Sequence, residues 1–315
     1  MSTDLATAVV GPGRWADALA TLADINGQVM RRRSLPGEDS NGDEPELADI
    51  AARCRLILLA IPSARFRASA RALGDHVDGS HLLVHSTRGL ETETFTRLSQ
   101  VLREETPTLR VGALAGPTLA DEVRRGLPTA AVVGSRYPEV IGAVQEALAG
   151  ERFRVYGSDD LVGVELASAF SQVVALVTGF ASGLGMEFNT RATVIVRGFA
   201  EMARIGQSLG AHPATFNGLA GLGELLVSAQ SEDAPHFRLG KAIGSGRSLE
   251  EAIEAMADDR TLVEAIDTLS AVRRYAHESG VRASLSDAAA ALLEGRPAEE
   301  VVHQLMTLAS MSETD

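Results

Sequence analysis

The segment Gly11-Pro12-Gly13-Arg14-Trp15-Ala16 limits what this chain can fold into more than any other stretch. It follows the apolar run Ala6 to Val10 and opens a helical pattern that continues to Asn26, where Gly27 stops it. A G-x-G-x-x-G/A turn between a strand and a helix is the setting of a dinucleotide-binding loop. The first glycine permits the tight turn, the second lets backbone approach a pyrophosphate, and the small sixth residue allows close helix packing. Alone, such a turn is weak evidence. Here it heads a series in which Ala6 to Val10, Gln28 to Arg31, Leu56 to Ile61, His81 to His85, Arg110 to Ala115 and Thr129 to Val133 read as strands. Amphipathic stretches such as Trp15 to Asn26 and Thr92 to Glu104 lie between them. The alternation predicts an α/β, Rossmann-like, doubly wound parallel sheet with helices on both faces.

Beyond Phe153 to Val155 the pattern changes. Ser158-Asp159-Asp160 supplies N-cap chemistry for a long apolar helix from Leu161 to about Leu184. Helical periodicity then recurs over Arg191 to Leu209, Leu249 to Met256, Leu262 to Glu278 and Ser286 to Leu293. With 315 residues, the chain suits two domains: a dinucleotide-binding domain over 1–157 and an all-α substrate or dimerisation domain over 158–315, divided near Gly157. A helical second domain offers apolar faces for a homodimer. The Pro-, Gly- and acid-rich stretch Leu35 to Glu46 reads as a solvated loop.

A net charge of -13 and the lack of a basic stripe argue against nucleic acid as a partner. No run of about 18 apolar residues predicts a membrane span, and the opening residues lack a charged leader, so a cytoplasmic location is expected. Cys54, the single cysteine, excludes an intrachain disulfide and reads as a buried thiol. No His, Cys or carboxylate spacing suits a metal, and no Gly-x-Ser-x-Gly elbow supports a hydrolase. Of the 29 basic residues one is lysine, Lys241, which reads as a surface residue, so any lysine chemistry must use it or be absent.

At the end of the second strand an NAD-preferring site usually carries an acid for the ribose hydroxyls. This chain has Arg31, Arg32 and Arg33 instead. Forked arginine contacts would suit the 2′-phosphate of NADP(H), tilting the expected cofactor slightly from NAD(H) to NADP(H). The alternative is a solvated edge paired with Glu38, Asp39, Asp43 and Glu44.

Ordered motifs extend along almost the whole chain. They include Gly11 to Ala20, Ala60-Ile61-Pro62-Ser63, Ser86 to Glu91, Gly116 to Val123, Arg125 to Ala130, Ser158-Asp159-Asp160, Gly163 to Leu166, Arg197 to Met202 and Gly218 to Gly223. In these the sequence resembles the bacterial NAD(P)-dependent glycerol-3-phosphate dehydrogenase family. The resemblance implies hydride transfer between a nicotinamide cofactor and dihydroxyacetone phosphate, within glycerophospholipid metabolism. It places cofactor contacts at Gly11, Gly13, Arg14, Trp15, Arg32, Arg33, Pro62, Arg88, Ala120 and Asp258. It places substrate contacts at Arg88, Gly116, Thr118, Glu224, Ser228, His236 and Arg238.

The same resemblance implies a lysine that manages the proton in an Ala-Leu-Lys-Asn segment, and a later Arg-Asn pair that grips the phosphate. This chain has Ala169-Phe170-Ser171-Gln172 and Pro235-His236 there. Ser171 cannot carry positive charge, and losing positioned acid-base help costs about 10² to 10⁴ in rate. Proline offers no donor. Arg88 keeps the charge of a family lysine, and Arg238 is the nearby cation that could replace the lost grip. His85, at a strand end, and His236 are the remaining proton carriers, with Glu224 and Glu165 as candidate catalytic carboxylates, each with a structural alternative. Two readings follow: a family member with weak, altered or lost oxidoreductase activity, or a catalytically silent dinucleotide-binding sensor or scaffold. A third is a dehydrogenase for a non-phosphorylated hydroxy substrate.

Overall fold

The computed structural model describes residues 6–27, 29–38, 44–91, 93–256 and 264–307. The sheet half runs β1 (Ala6–Val10), α1 (Gly13–Asn26), β2 (Val29–Arg32), α2 (Leu47–Arg53), β3 (Cys54–Leu59), α3 (Ser63–Gly74), β4 (Leu82–His85), β5 (Leu90–Glu91), β6 (Thr96–Arg97), α4 (Leu98–Glu105), β7 (Val111–Ala115), α5 (Ala120–Arg124), β8 (Thr129–Gly134), α6 (Pro138–Leu148) and β9 (Phe153–Ser158). The helical half follows as α7 (Leu161–Gly183), α8 (Phe188–Ser208), α9 (Pro213–Phe216), a π turn at Leu219–Gly223, α10 (Glu224–Gln230), α11 (Pro235–Gly244), α12 (Leu249–Glu254), α13 (Glu264–Ser279), α14 (Ser284–Leu293) and α15 (Ala298–Thr307).

Seven strands form one sheet in the order β2-β1-β3-β4-β7-β8-β9. Side chains alternate between its faces, as strand geometry requires. Ala8, Val10, Ile57, Leu59 and Leu83 join one core with Phe66 of α3, Leu102 of α4 and the start of α7. Val9, Leu58, Leu82 and Val84 join the other with Leu19 of α1 and Val140 of α6. Both faces are covered, which is the doubly wound arrangement.

Two elements depart from the sequence expectation. β8 runs antiparallel to β7, because the connection between them carries only the five-residue α5, short for a crossover helix. The stretch expected as a helix from Thr92 instead holds β6, which pairs antiparallel with β5 just ahead of it. Its Thr-rich composition favours strand, and α4 starts at Leu98, where Gln100 Oε1 accepts from Arg97 N at 3.2 Å.

α7 is apolar on all sides and long enough to cross a membrane, but 94% of its apolar window is buried within the protein. It is a core helix. Its partner is α11, and both carry glycines four apart. A Cβ at Gly179 would lie 2.0 Å from Phe237 O, and one at Gly240 would lie 1.9 Å from Leu176 O. The bare glycines let the two backbones touch, which brings the middle of α7 against the start of α11.

Candidate functional site

The glycine-rich turn has the shape its sequence implies. Gly11 has φ +128°, and a Cβ there would meet Ala60 O at 2.1 Å, so β3's exit crosses directly over it. Gly13 has φ +87°, a conformation that suits glycine, and its Cβ direction opens into free space. Pro12 precedes α1, and among the described residues no side chain caps its first N–H groups. An open hollow at an uncapped helix N-terminus fits a pyrophosphate. Ala16 is fully buried, and Trp15 packs against the second core. At the rim, Arg14 Nη1 donates to Asp121 Oδ2 at 2.7 Å. Ala120 begins the short helix that carries Asp121.

Pro62 precedes α3, whose first N–H, on Ser63, donates to Glu264 Oε1 at 2.9 Å. Glu264 lies on α13 and is buried. The sequence reading missed it, although an acid inside an apolar helical stripe is a usable signal. Asp258, expected among the cofactor contacts, lies outside the described residues, as do Gln28, Asp39 and Asp43.

Arg32 corrects an expectation. It was expected to face the cofactor, but it is 1% exposed and turns into the following loop. There its Nη1 donates to Pro45 O at 2.9 Å and its Nη2 to Glu38 O at 2.8 Å. Unpaired backbone carbonyls of the loop need donors, and the guanidinium supplies them. Within the stretch expected as a solvated loop, Glu38 and Pro45 are therefore anchored by a buried cation. Arg31 and Arg33 both donate to Asp17 Oδ1 of α1. Arg33 alone of the three is exposed.

The residues expected at the substrate end converge in one buried network. Arg88 Nη1 lies 2.9 Å from Glu224 Oε1, and its Nη2 donates to Thr118 O and Oγ1 at 3.0 Å each. Glu224 Oε2 accepts from Gly116 N at 3.1 Å. Its Oε1 accepts from Ser228 Oγ at 3.1 Å and Gln172 Nε2 at 3.4 Å. Gln172 Nε2 also donates to Ser171 Oγ at 3.1 Å, while Gln172 Oε1 lies 2.6 Å from His236 Nδ1. Burial pushes the Glu224 carboxyl above its ordinary range despite the Arg88 charge and the donors of Ser228, Gly116 and Gln172.

Ser171 is fully buried, and its hydroxyl donates back to Ser168 O at 2.7 Å. Pro235 opens α11, where a missing N–H costs nothing. Arg238 is exposed and does not join the network. Lys241 Nζ pairs with Glu232 at 2.8 Å, clasping the turn ahead of α11 and confirming a surface role.

His85 lies elsewhere. Its Nε2 is 3.1 Å from Glu165 Oε1, and its ring meets Phe66 edge-on at 5.7 Å. Glu165 also accepts from Ser99 N, Ser99 Oγ and Arg97 Nη1, at 2.8, 2.6 and 2.8 Å. Burial would raise this carboxyl, but His85, Arg97 and Ser99 hold it at about 2. The expectation of His85 or Glu165 as a proton carrier gives way to a structural ion cluster that joins β4, α4 and α7. Glu201 is likewise occupied: it accepts from Leu285 N and Ser286 N at the head of α14. Burial drives the Cys54 thiol up to about 11, in keeping with an inert side chain.

A glycine cradle at the first strand-helix turn, with a helical half laying Glu224 and Glu264 across the strand ends, defines a class: a doubly wound nucleotide-binding fold with a helical cap. Comparison with known proteins narrows it. The family model for the NAD-dependent glycerol-3-phosphate dehydrogenase N-terminus matches residues 38–141, and that for the C-terminus matches 160–303. The NAD(P)+ glycerol-3-phosphate dehydrogenase of Azotobacter vinelandii is 37% identical, covering 95% of this chain and 94% of its own. That of Pseudomonas aeruginosa is 38% identical, covering 95% and 93%. The crystal structure of glycerol-3-phosphate dehydrogenase from Coxiella burnetii superposes with a TM-score of 0.87 at 27% identity, covering 97% of this chain and 99% of that one. The chain belongs to the NAD(P)-dependent glycerol-3-phosphate dehydrogenase family.

Proposed function

We propose that this protein binds a nicotinamide dinucleotide on the glycine cradle and reduces dihydroxyacetone phosphate weakly or not at all. The division into a dinucleotide-binding part and a helical part near Gly157 belongs to the same reading. The observation that carries it is the network around Ser171. A bound dinucleotide would supply or accept a hydride. The charge that then develops on a carbonyl oxygen needs a nearby cation or proton donor. Ser171 is neutral and already donates to Ser168 O. Arg88 is drawn onto Glu224, which leaves the charge of the pair nearly cancelled where a phosphate dianion would need positive charge. Pro235 adds no donor.

A second reading, that of a dinucleotide sensor, draws on a different observation. Glu224 binds Gly116 N and Arg88, and Glu264 binds Ser63 N, so groups beside the cradle are tied to the helical half. A ligand there has a direct route to the cap.

Thermal-shift titration with NAD, NADH, NADP and NADPH, beside a turnover assay with dihydroxyacetone phosphate, tests the reading. We expect a dinucleotide to raise the melting temperature while turnover stays at least about 10²-fold below that of a lysine-bearing relative. Turnover equal to such a relative would refute weakened catalysis.

A further inference from the structure

We infer that Glu38 and Glu44 make the adenosine end of this site select NAD(H) over NADP(H). The inference rests on the dinucleotide-binding reading above and reverses the tilt that three consecutive arginines gave the sequence.

The end of β2 is fastened to the cradle, for Gly11 N donates to Arg32 O at 2.9 Å. Residues just past that strand end meet the adenosine ribose in this type of fold. Here the first two free backbone donors after Arg33 are already taken. Ser34 N donates to Glu44 Oε2 at 3.0 Å, and Leu35 N donates to Glu38 Oε2 at 3.2 Å. Two carboxylates therefore sit where the oxygens of a 2′-phosphate would look for N–H groups. Although burial works the other way, the Ser34 N–H and the Arg32 charge keep the Glu44 carboxyl below its ordinary value, so it is ionised near neutrality.

The surrounding cations do not offset this arrangement. Arg65 Nη2 donates to Glu38 Oε1 at 3.0 Å. Arg31 and Arg33 share Asp17, Arg14 holds Asp121, and Arg32 faces inward with Glu46 at 3.7 Å. A ribose 2′-hydroxyl can donate to a carboxylate. A 2′-phosphate is an acceptor carrying negative charge, and it must displace both glutamates or stand against them. The acid that NAD-selective folds place on the strand itself is supplied here by Glu38 and Glu44, which follow it.

Isothermal calorimetry of the full chain with NADH and with NADPH tests this. The wild type is expected to bind NADH about tenfold more tightly. The double variant Glu38→Gln/Glu44→Gln, checked for folding by circular dichroism, is expected to close that gap. NADPH binding as tightly as NADH to the wild type overturns the inference while leaving dinucleotide binding intact. A double variant that keeps the full preference overturns the assignment to these two residues. Binding of neither dinucleotide overturns the underlying reading as well. Should the double variant fail to fold, the wild-type ratio and the single variants decide the matter.

Discussion

At Glu224 a carboxylate that is 1% exposed depends on Arg88 for its charge partner. Burial already raises its pKa, so the ionised form is the one folding disfavours. Stability linked to such a group is present below its unfolded value and is lost as pH rises through the folded value. Arg88→Gln should push that value further up. The variant should lose about 3–5 kcal/mol when the carboxylate is forced to ionise, and less in acid, where it takes up a proton. Urea denaturation at about pH 5 and pH 8 checks this, and equal losses at both would contradict it. The sequence revealed which residues stand at the reacting positions, because Ser171, Gln172, Pro235 and His236 occupy family motifs. It could not reveal that Gln172 reaches both Glu224 and His236. That contact depends on how α7 and α11 approach. Nor could it show Arg32 turning inward, since its partners are carbonyls, which every residue has.

α7 and α11 are the elements that build the network, and their approach depends on glycine. A methyl at Gly240 would lie 1.9 Å from Leu176 O, so Gly240→Ala must part the two helices. We expect a loss of about 1–3 kcal/mol in urea denaturation, with a reduced response to dinucleotide because Gln172 and His236 separate. Unchanged stability would show that the helices yield without cost. In the helical half several helices were legible from periodicity: α7, α8, α12, α13 and α14 fall where apolar spacing places them. The hairpin β5–β6 and the antiparallel β8 were not, for strands this short carry too little periodic signal, and strand direction depends on the length of the connection. α11 was hidden by Pro235, which the eye takes as a breaker and the fold uses as a helix start.

Across the whole molecule, one apolar cluster contains strand residues such as Ile57 and Leu83, α7 residues such as Leu166 and Phe170, and Met202 and Val272 from the helical half. Polar ties run beside it, and Glu165 is one of them. Its carboxyl, at about 2 when folded against an ordinary 4.5, contributes stability that is complete above the unfolded value and disappears as pH falls toward the folded one. Acid denaturation of Glu165→Gln should therefore be shallower between about pH 5 and pH 3 than that of the wild type, and an identical acid limb would count against this role. The two-part plan was readable because the strand-helix alternation stops after Val155. The cross-ties were not, since His85 and Glu165 stand eighty positions apart and no local pattern links them. Finally, the clasp between Lys241 and Glu232 has a practical use. It involves the chain's sole side-chain amine, so the one side chain an amine-seeking dye could modify lies beside the turn that introduces Pro235, which gives chemists a handle on that segment without any engineered cysteine.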